Sequence, residues 1–152
     1  MNSGLVRSIV DLSSRWRSRF SRSKKSPEHL HRGRRGEKLA SRFLRGSGYK
    51  ILYRNFRGNS GGEIDLVCRD GDTLVFVEVK TRGDESFGRP VEAIRPDQRR
   101  RISRGALAWL RLLDNPEIFF RFDVVEVIID DTSKPRLEPI KNAFELSKPY
   151  IY

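Results

Sequence analysis

The fold is decided by Gly62-Glu63-Ile64-Asp65-Leu66-Val67 and, beyond Arg69-Asp70-Gly71-Asp72, by Phe76-Val77-Glu78-Val79-Lys80. Both runs alternate with period 2 and are rich in β-branched residues, and the Asp-Gly pair between them is a strong hairpin signal. With Asp70 and Gly71 as a two-residue turn, Arg69 faces Asp72, Val67 faces Leu74, Asp65 faces Phe76 and Glu63 faces Glu78. Opposed residues share a face and side chains alternate along each strand, so Glu63, Asp65, Glu78 and Lys80 are expected on one side. The inference hangs on register, because a three-residue loop would send Asp65 to the other face.

Three carboxylates crowded on one face repel, and at least one pKa should rise unless a cation sits between them. A divalent metal would resolve the conflict, with Asp65, Glu78 and Glu63 as candidate ligands. Oxygen donors suit Mg²⁺ or Mn²⁺ rather than zinc, for which the chain has no Cys/His cluster. Lys80 could then stabilise charge on a scissile phosphate or orient the attacking water. The competing reading is a wet hairpin face decorated with charges. Against it, Val75, Val77 and Val79 form one face while Leu74 and Phe76 precede Glu78 on the other. Both sides therefore look buried, and charges at the end of such a strand need partners.

Asp65 followed after twelve residues by Glu78-Val79-Lys80 resembles the PD-(D/E)XK nuclease superfamily. The longer string is more specific: Gly36-Glu37, then Gly-Glu-Ile-Asp-Leu, Phe-Val-Glu-Val-Lys and Arg121-Phe122-Asp123-Val124. In that order and spacing it resembles the YraN family of endonuclease-like bacterial proteins, over roughly residues 34 to 146. The resemblance implies an α/β fold with a restriction-endonuclease-like core, a mixed β-sheet flanked by helices. It implies Asp65 and Glu78 as metal ligands, Lys80 as the catalytic lysine and Glu37 on the first helix as a further acidic site residue. Two positions depart from the pattern. Ile64 stands where the superfamily name has proline, and Gln98 stands where a lysine is expected at the start of the following helix.

At 152 residues the chain fits one domain. Net charge is +11, but residues 1–36 carry ten Lys/Arg against Asp11 and Glu28, leaving only +3 for the remainder. The basic excess is thus mostly a property of the N-terminal segment. Residues 1–26 read as a basic extension, either disordered or an amphipathic helix with Leu5, Ile9, Leu12, Trp16 and Phe20 at near-helical spacing. A nucleic-acid arm, a membrane-surface helix and a transit peptide all fit that composition. Residues 27–152 read as a single endonuclease-like domain. The lone Cys68 lies in a predicted strand, reads as core filler and excludes an internal disulfide, pointing to a reducing, cytoplasmic setting. No run approaches a membrane span or a signal-peptide core.

Ser26-Pro27 forms an N-cap and N1 pair for a helix running to about Ser47, irregular at Gly33 and Gly36. Its apolar stripe holds Leu39, Ala40, Phe43 and Leu44, and Glu37 lies on the inward side. Without the resemblance, Glu37 reads equally as a first-turn acid favoured by the helix dipole. Tyr49 to Phe56 alternates as a first strand. The polar segment from Thr81 to Pro90, containing Phe87-Gly88-Arg89, is either a loop that closes on substrate or a plain connector. A helix from about Pro96 to Leu113 carries Gln98, Arg99, Arg100 and Arg101 in its first turns. These and Arg89 are candidates for phosphate contact, although an Arg run is often simply a solvated helix face. Phe120 to Ile129 should form an interior strand parallel to the Glu78 strand, reached by a helical crossover. Asp123 reads as structural, and a short strand and a helix around Asn142 to Leu146 should close the chain.

These readings converge on a Mg²⁺-dependent DNA endonuclease, with branched or repair-type substrates conceivable. The alternative from another class is a nucleic-acid-binding module that cleaves nothing, and a membrane-surface adaptor working through the N-terminal helix is a third. The binder has no need of carboxylates that repel phosphate, and the adaptor leaves the hairpin acids without a role.

Overall fold

The computed structural model describes residues 28–83, 94–130 and 132–152. Within them, helix α1 (Glu28–Gly46) leads into strands β1 (Lys50–Arg57), β2 (Glu63–Asp70) and β3 (Thr73–Arg82). Helix α2 (Pro96–Leu112) then precedes β4 (Phe120–Ile128) and β5 (Arg136–Phe144). The basic extension at 1–26 and the segment holding Arg89 lie outside the described residues.

The strands form one mixed sheet in the order β1-β2-β3-β4-β5. Only β3 and β4 are parallel, with Phe76 beside Phe122 and Lys80 beside Glu126; the other neighbours are antiparallel. The helical connection through α2 provides the length that a parallel crossover requires. Against one face, Ala40 and Leu44 of α1 pack on Leu66, Cys68, Val75, Val77, Val125 and Val127. Against the other, Ile102, Ala106, Trp109 and Leu110 of α2 pack on Ile64, Val67, Leu74, Phe76, Phe122 and Val124. This is a restriction-endonuclease-like α/β arrangement. Its central strands read as continuous apolar runs because both faces are covered. Cys68 is fully buried, and burial pushes its thiol up to about 12, so it is an inert part of the core.

Three local expectations are corrected. The hairpin pairs Asp70 with Thr73 and Leu66 with Val77, so its loop is Gly71-Asp72 rather than Asp70-Gly71. Gly71 supplies the positive φ of 57° that a tight turn requires. Asp70 then accepts hydrogen bonds from Arg121 at 2.7 Å and Lys141 at 3.3 Å. Every partner across the hairpin moves by two residues, an even step that keeps each side chain on its face. Residues 142–144 belong to β5 and no helix follows them among the described residues, because the buried carboxylate of Asp123 accepts the amide hydrogen of Asn142 at 2.9 Å. Asn142 takes a left-handed conformation there, φ 49°, beside a register shift in β4 and β5. Finally, α1 runs unbroken through Gly33 and Gly36.

Helix α2 crosses the entry to β2 at backbone contact. A methyl group on Gly62 would lie 2.1 Å from the Gly105 nitrogen, and one on Gly105 would lie 2.9 Å from the Glu63 nitrogen. Neither backbone can yield without parting the helix from the strand. Gly62→Ala is therefore expected to destabilise the protein by about 3 kcal/mol, the upper range for overpacking. Urea unfolding checks this, and an unchanged midpoint would show that the crossing is looser than these distances require.

Candidate active site

Strands β2 and β3 pair only as far as Leu66 and Val77. Beyond that point β2 stays with β1 down to Glu63 beside Arg57, while β3 stays with β4 up to Arg82 beside Ile128. The sheet forks, and Asp65 and Glu78 are the next residues on either side. Opening a ladder leaves backbone groups without partners, which is costly in a covered sheet. Here the Asp65 side chain substitutes for the missing strand, its Oδ2 accepting the Val79 amide hydrogen at 2.8 Å.

Glu78 is buried and follows Leu74 and Phe76 on the α2 face. Its Oε1 receives two donors: Lys80 Nζ at 3.2 Å, two residues along the same strand, and Gln98 Nε2 from the first turn of α2. Pro96 starts that helix and aims its first turn at the fork. The Lys80 side chain keeps 24% of its surface exposed, enough to reach something bound at the fork.

Glu37 approaches from α1, on the opposite face. The helix can come this close because residue 36 is glycine, where a methyl group would sit 1.8 Å from Thr81 Oγ1. The Gly36-Glu37 pair thus has a physical meaning: the first residue permits the approach and the second presents the acid. A side-chain hydrogen bond joins Glu37 to Asn55 of β1.

Mutual repulsion marks the cluster. Burial, then the Glu78 carboxylate, hold Asp65 well above the usual carboxylate range, with Glu37 and Glu63 adding to the effect and the Val79 amide opposing it. Burial also raises Glu37, with Glu63 and Glu78 adding, while the bond to Asn55 and the charge of Arg34 oppose. Acids this close in a covered site favour either a proton or a cation.

Glu63 stands apart from the other acids in its contacts, with Oε1 3.3 Å from Arg57 and Oε2 4.0 Å from Arg101. The flat hairpin face that would carry four charged residues together is replaced by the fork. Ile64 joins the α2 core while Leu66 joins the α1 core, so strict alternation fails across Asp65. Among the described residues no three His, Cys, Asp or Glu side chains gather as a ready-made metal cage. The Arg run divides as well. Arg99 is half-buried, donates to the Ile94 carbonyl at 3.1 Å and lies over the Phe144 ring, so it braces α2; Arg100 and Arg101 are exposed. Asp123 is held by Arg121 Nε at 2.9 Å and serves the sheet.

Asn55 escaped the sequence reading. Its signal was present: asparagine is disfavoured inside strands but tolerates the left-handed region, where Asn55 sits at φ 52°. The buried pair of Arg82 and Glu126, at 2.9 Å, was also missed, since the parallel register that unites them is a tertiary property.

Comparison with known proteins places this geometry in context. A family profile described as uncharacterised protein family UPF0102 matches residues 36–127, from the Gly36-Glu37 pair through β4. The chain is 50% identical over 115 residues to the UPF0102 protein GSU0650 of Geobacter sulfurreducens, covering 76% of this chain and 89% of that protein. It is 45% identical over 129 residues to a UPF0102 protein of Geotalea uraniireducens, covering 83% and 98%. A UPF0102 protein of Nocardia farcinica is 46% identical over 112 residues, covering 74% and 87%.

Proposed function

The chain belongs to the UPF0102 family, the YraN group of endonuclease-like proteins, and from that premise and the forked site we propose that it is a divalent-metal-dependent endonuclease hydrolysing DNA phosphodiester bonds. The observation that carries this reading is the convergence at the fork: Lys80 and Gln98 on one oxygen of Glu78, beside Asp65. Branched or repair-type DNA is the substrate class to try first.

The residues suit Mg²⁺ or Mn²⁺. Their donors are all oxygen, and the repulsion that lifts Asp65 is what a cation would relieve. A full protein cage is unnecessary, because Mg²⁺ commonly keeps waters and takes one or two carboxylates plus substrate phosphate. With Oε1 of Glu78 engaged by Lys80 and Gln98 and Oδ2 of Asp65 by Val79, the other oxygen of each carboxylate would hold the ion. When bound, such an ion supplies Lewis acidity at phosphate and lowers the pKa of its water toward neutrality.

The protein's own groups do the rest. Lys80 places an ammonium where negative charge grows on the phosphoryl oxygens, and can orient the attacking water. Gln98 is a neutral donor that fixes the Glu78 rotamer without competing for phosphate, which gives a role to the glutamine standing in place of lysine. Glu37 faces the fork from α1 as the group able to share a proton with water near the ion. Arg100 and Arg101, exposed on the first turns of α2, are suited to contact the phosphates flanking the scissile one.

Calorimetric titration of the purified chain with Mn²⁺, followed by cleavage assays on duplex, single-stranded and branched DNA and on RNA, tests the reading. Binding that vanishes in Asp65→Ala and Glu78→Ala, together with cleavage of DNA, is expected. Nucleic-acid binding without cleavage under Mg²⁺ or Mn²⁺ would hand the site to a non-catalytic binding module.

A further inference from the structure

Asn55 is a polar residue in left-handed backbone, φ 52°, in the middle of edge strand β1. Its neighbours Arg54 and Phe56 pair with Leu66 and Ile64, so the residue across from it on β2 is Asp65. A non-glycine residue held at positive φ carries strain of about 1–3 kcal/mol that surrounding structure must sustain, and such outliers concentrate at functional sites. No turn occurs here to require that conformation. The kink instead coincides with the break in alternation: Phe56 and Ile64 both belong to the α2 core, whereas Leu66 belongs to the α1 core and Arg54 donates to Ser41 of α1 at 2.8 Å.

We propose that Asn55 is a positioning residue for the active site, its left-handed kink turning the carboxamide onto Glu37 so that this acid is held against the fork opposite Asp65. The inference rests on the metal-dependent reading of that fork. Two properties of asparagine serve the role together. It tolerates the left-handed region better than most residues, and its amide can donate to a carboxylate without adding charge to a crowded acidic cluster. The groups around Glu37 are Arg34 on α1, Glu63 on β2 and Glu78 on β3, with Asn55 on β1 as its hydrogen-bond partner. Three of those four are charged. Without the neutral donor, the carboxylate would be free to rotate away from Glu63 and Glu78 and toward Arg34.

A purely backbone role for Asn55 would be served equally well by glycine, which takes positive φ without strain. Asn55→Gly therefore separates the carboxamide from the kink. If the carboxamide positions Glu37, Asn55→Gly should weaken Mn²⁺ binding by about tenfold or more, the usual consequence of removing a group that orients a metal site. Glu37→Gln should weaken it comparably, and the double variant should be no worse than Glu37→Gln alone, since residues acting as one unit are non-additive. Cleavage should follow the same pattern. Asn55→Asp, which keeps the shape and loses the donor, should lose at least as much.

A second cycle needs neither metal nor substrate. In urea unfolding of the apo protein, Asn55→Gly should shift the midpoint when Glu37 is present and leave it unmoved in the Glu37→Ala background. Wild-type Mn²⁺ affinity in Asn55→Gly, or losses that multiply in the double variant, would overturn the proposal. A chain that binds Mn²⁺ but cuts nothing would remove the nuclease reading and leave the affinity cycle to decide the role of Asn55. A wild-type chain that binds no Mn²⁺ would overturn the site reading and with it this metal-positioning role; the urea cycle would then decide only the Asn55–Glu37 contact.

Discussion

Lys80→Ala is expected to lower Mg²⁺-dependent cleavage by about 10² to 10³, the usual loss on removing one positioned electrostatic group, while leaving Mn²⁺ binding in place. The separation follows from the contacts at the fork. Lys80 Nζ lies 3.2 Å from Oε1 of Glu78, the oxygen that Gln98 also holds. Removing the ammonium leaves Glu78 hydrogen-bonded and fixed, so the ligand pair survives. It also removes a competing cation, and Mn²⁺ affinity should therefore be unchanged or somewhat tighter. Glu78→Ala should lose both binding and cleavage. Single-turnover nicking assays beside calorimetry resolve the two outcomes. Should Lys80→Ala abolish metal binding as well, the lysine would be a structural partner of Glu78 rather than a group acting on the reaction.

Asp65→Asn should have effects of opposite sign on function and stability. Loss of a ligand charge should abolish Mn²⁺ binding and reduce cleavage by more than 10³. The apo protein, however, should become more stable at neutral pH by about 1–2 kcal/mol, the range found when a strained functional group is relieved. The sign follows from linkage. Burial and the Glu78 carboxylate raise Asp65 in the folded state. The folded chain therefore binds more protons than the unfolded one between the ordinary aspartate range and the raised value, and stability falls as pH climbs through that window. The penalty is complete above the folded pKa. Asparagine has no charge to bury and keeps a carbonyl able to accept the Val79 amide, so the gain should be largest at neutral pH and vanish toward pH 4. Urea unfolding at several pH values without metal measures it. A variant less stable than wild type at pH 7 would mean that the carboxylate is favourably held in the apo state.

Much of the architecture was legible because it rests on local chemistry. Alternation and β-branching located β2 and β3, the apolar run of β4 with its crossover length implied parallel pairing, and Cys68 read as core from its strand neighbours. The hairpin offset was misjudged by two residues, since Asp-Gly can place its glycine at either loop position. That error left each side chain on its face because the strand period is also two. The C-terminal helix expected around Asn142 was wrong for another reason: a buried Asp123 carboxylate, remote in sequence, captures the Asn142 amide and holds the segment in β5.

By itself the sequence determined the kinds of group available: Asp65, Glu78 and Lys80 at spacings suited to one end of a hairpin, an acid at Glu37, and an arginine-rich start to α2. Only the tertiary structure decided how they meet. Pairing distances are set by the whole sheet, and the parting of β2 from β3 cannot be read from either strand. That parting makes Asp65 a substitute for a ladder partner, and it admits Glu37 and Gln98 from opposite faces. The same global geometry turned Arg99 inward over Phe144 and gave Glu63 to Arg57 and Arg101, because a side chain's partner depends on which elements close around it. Residue type and spacing are local and survive in the sequence, whereas the convergence of two helices on a fork is a property of packing in three dimensions.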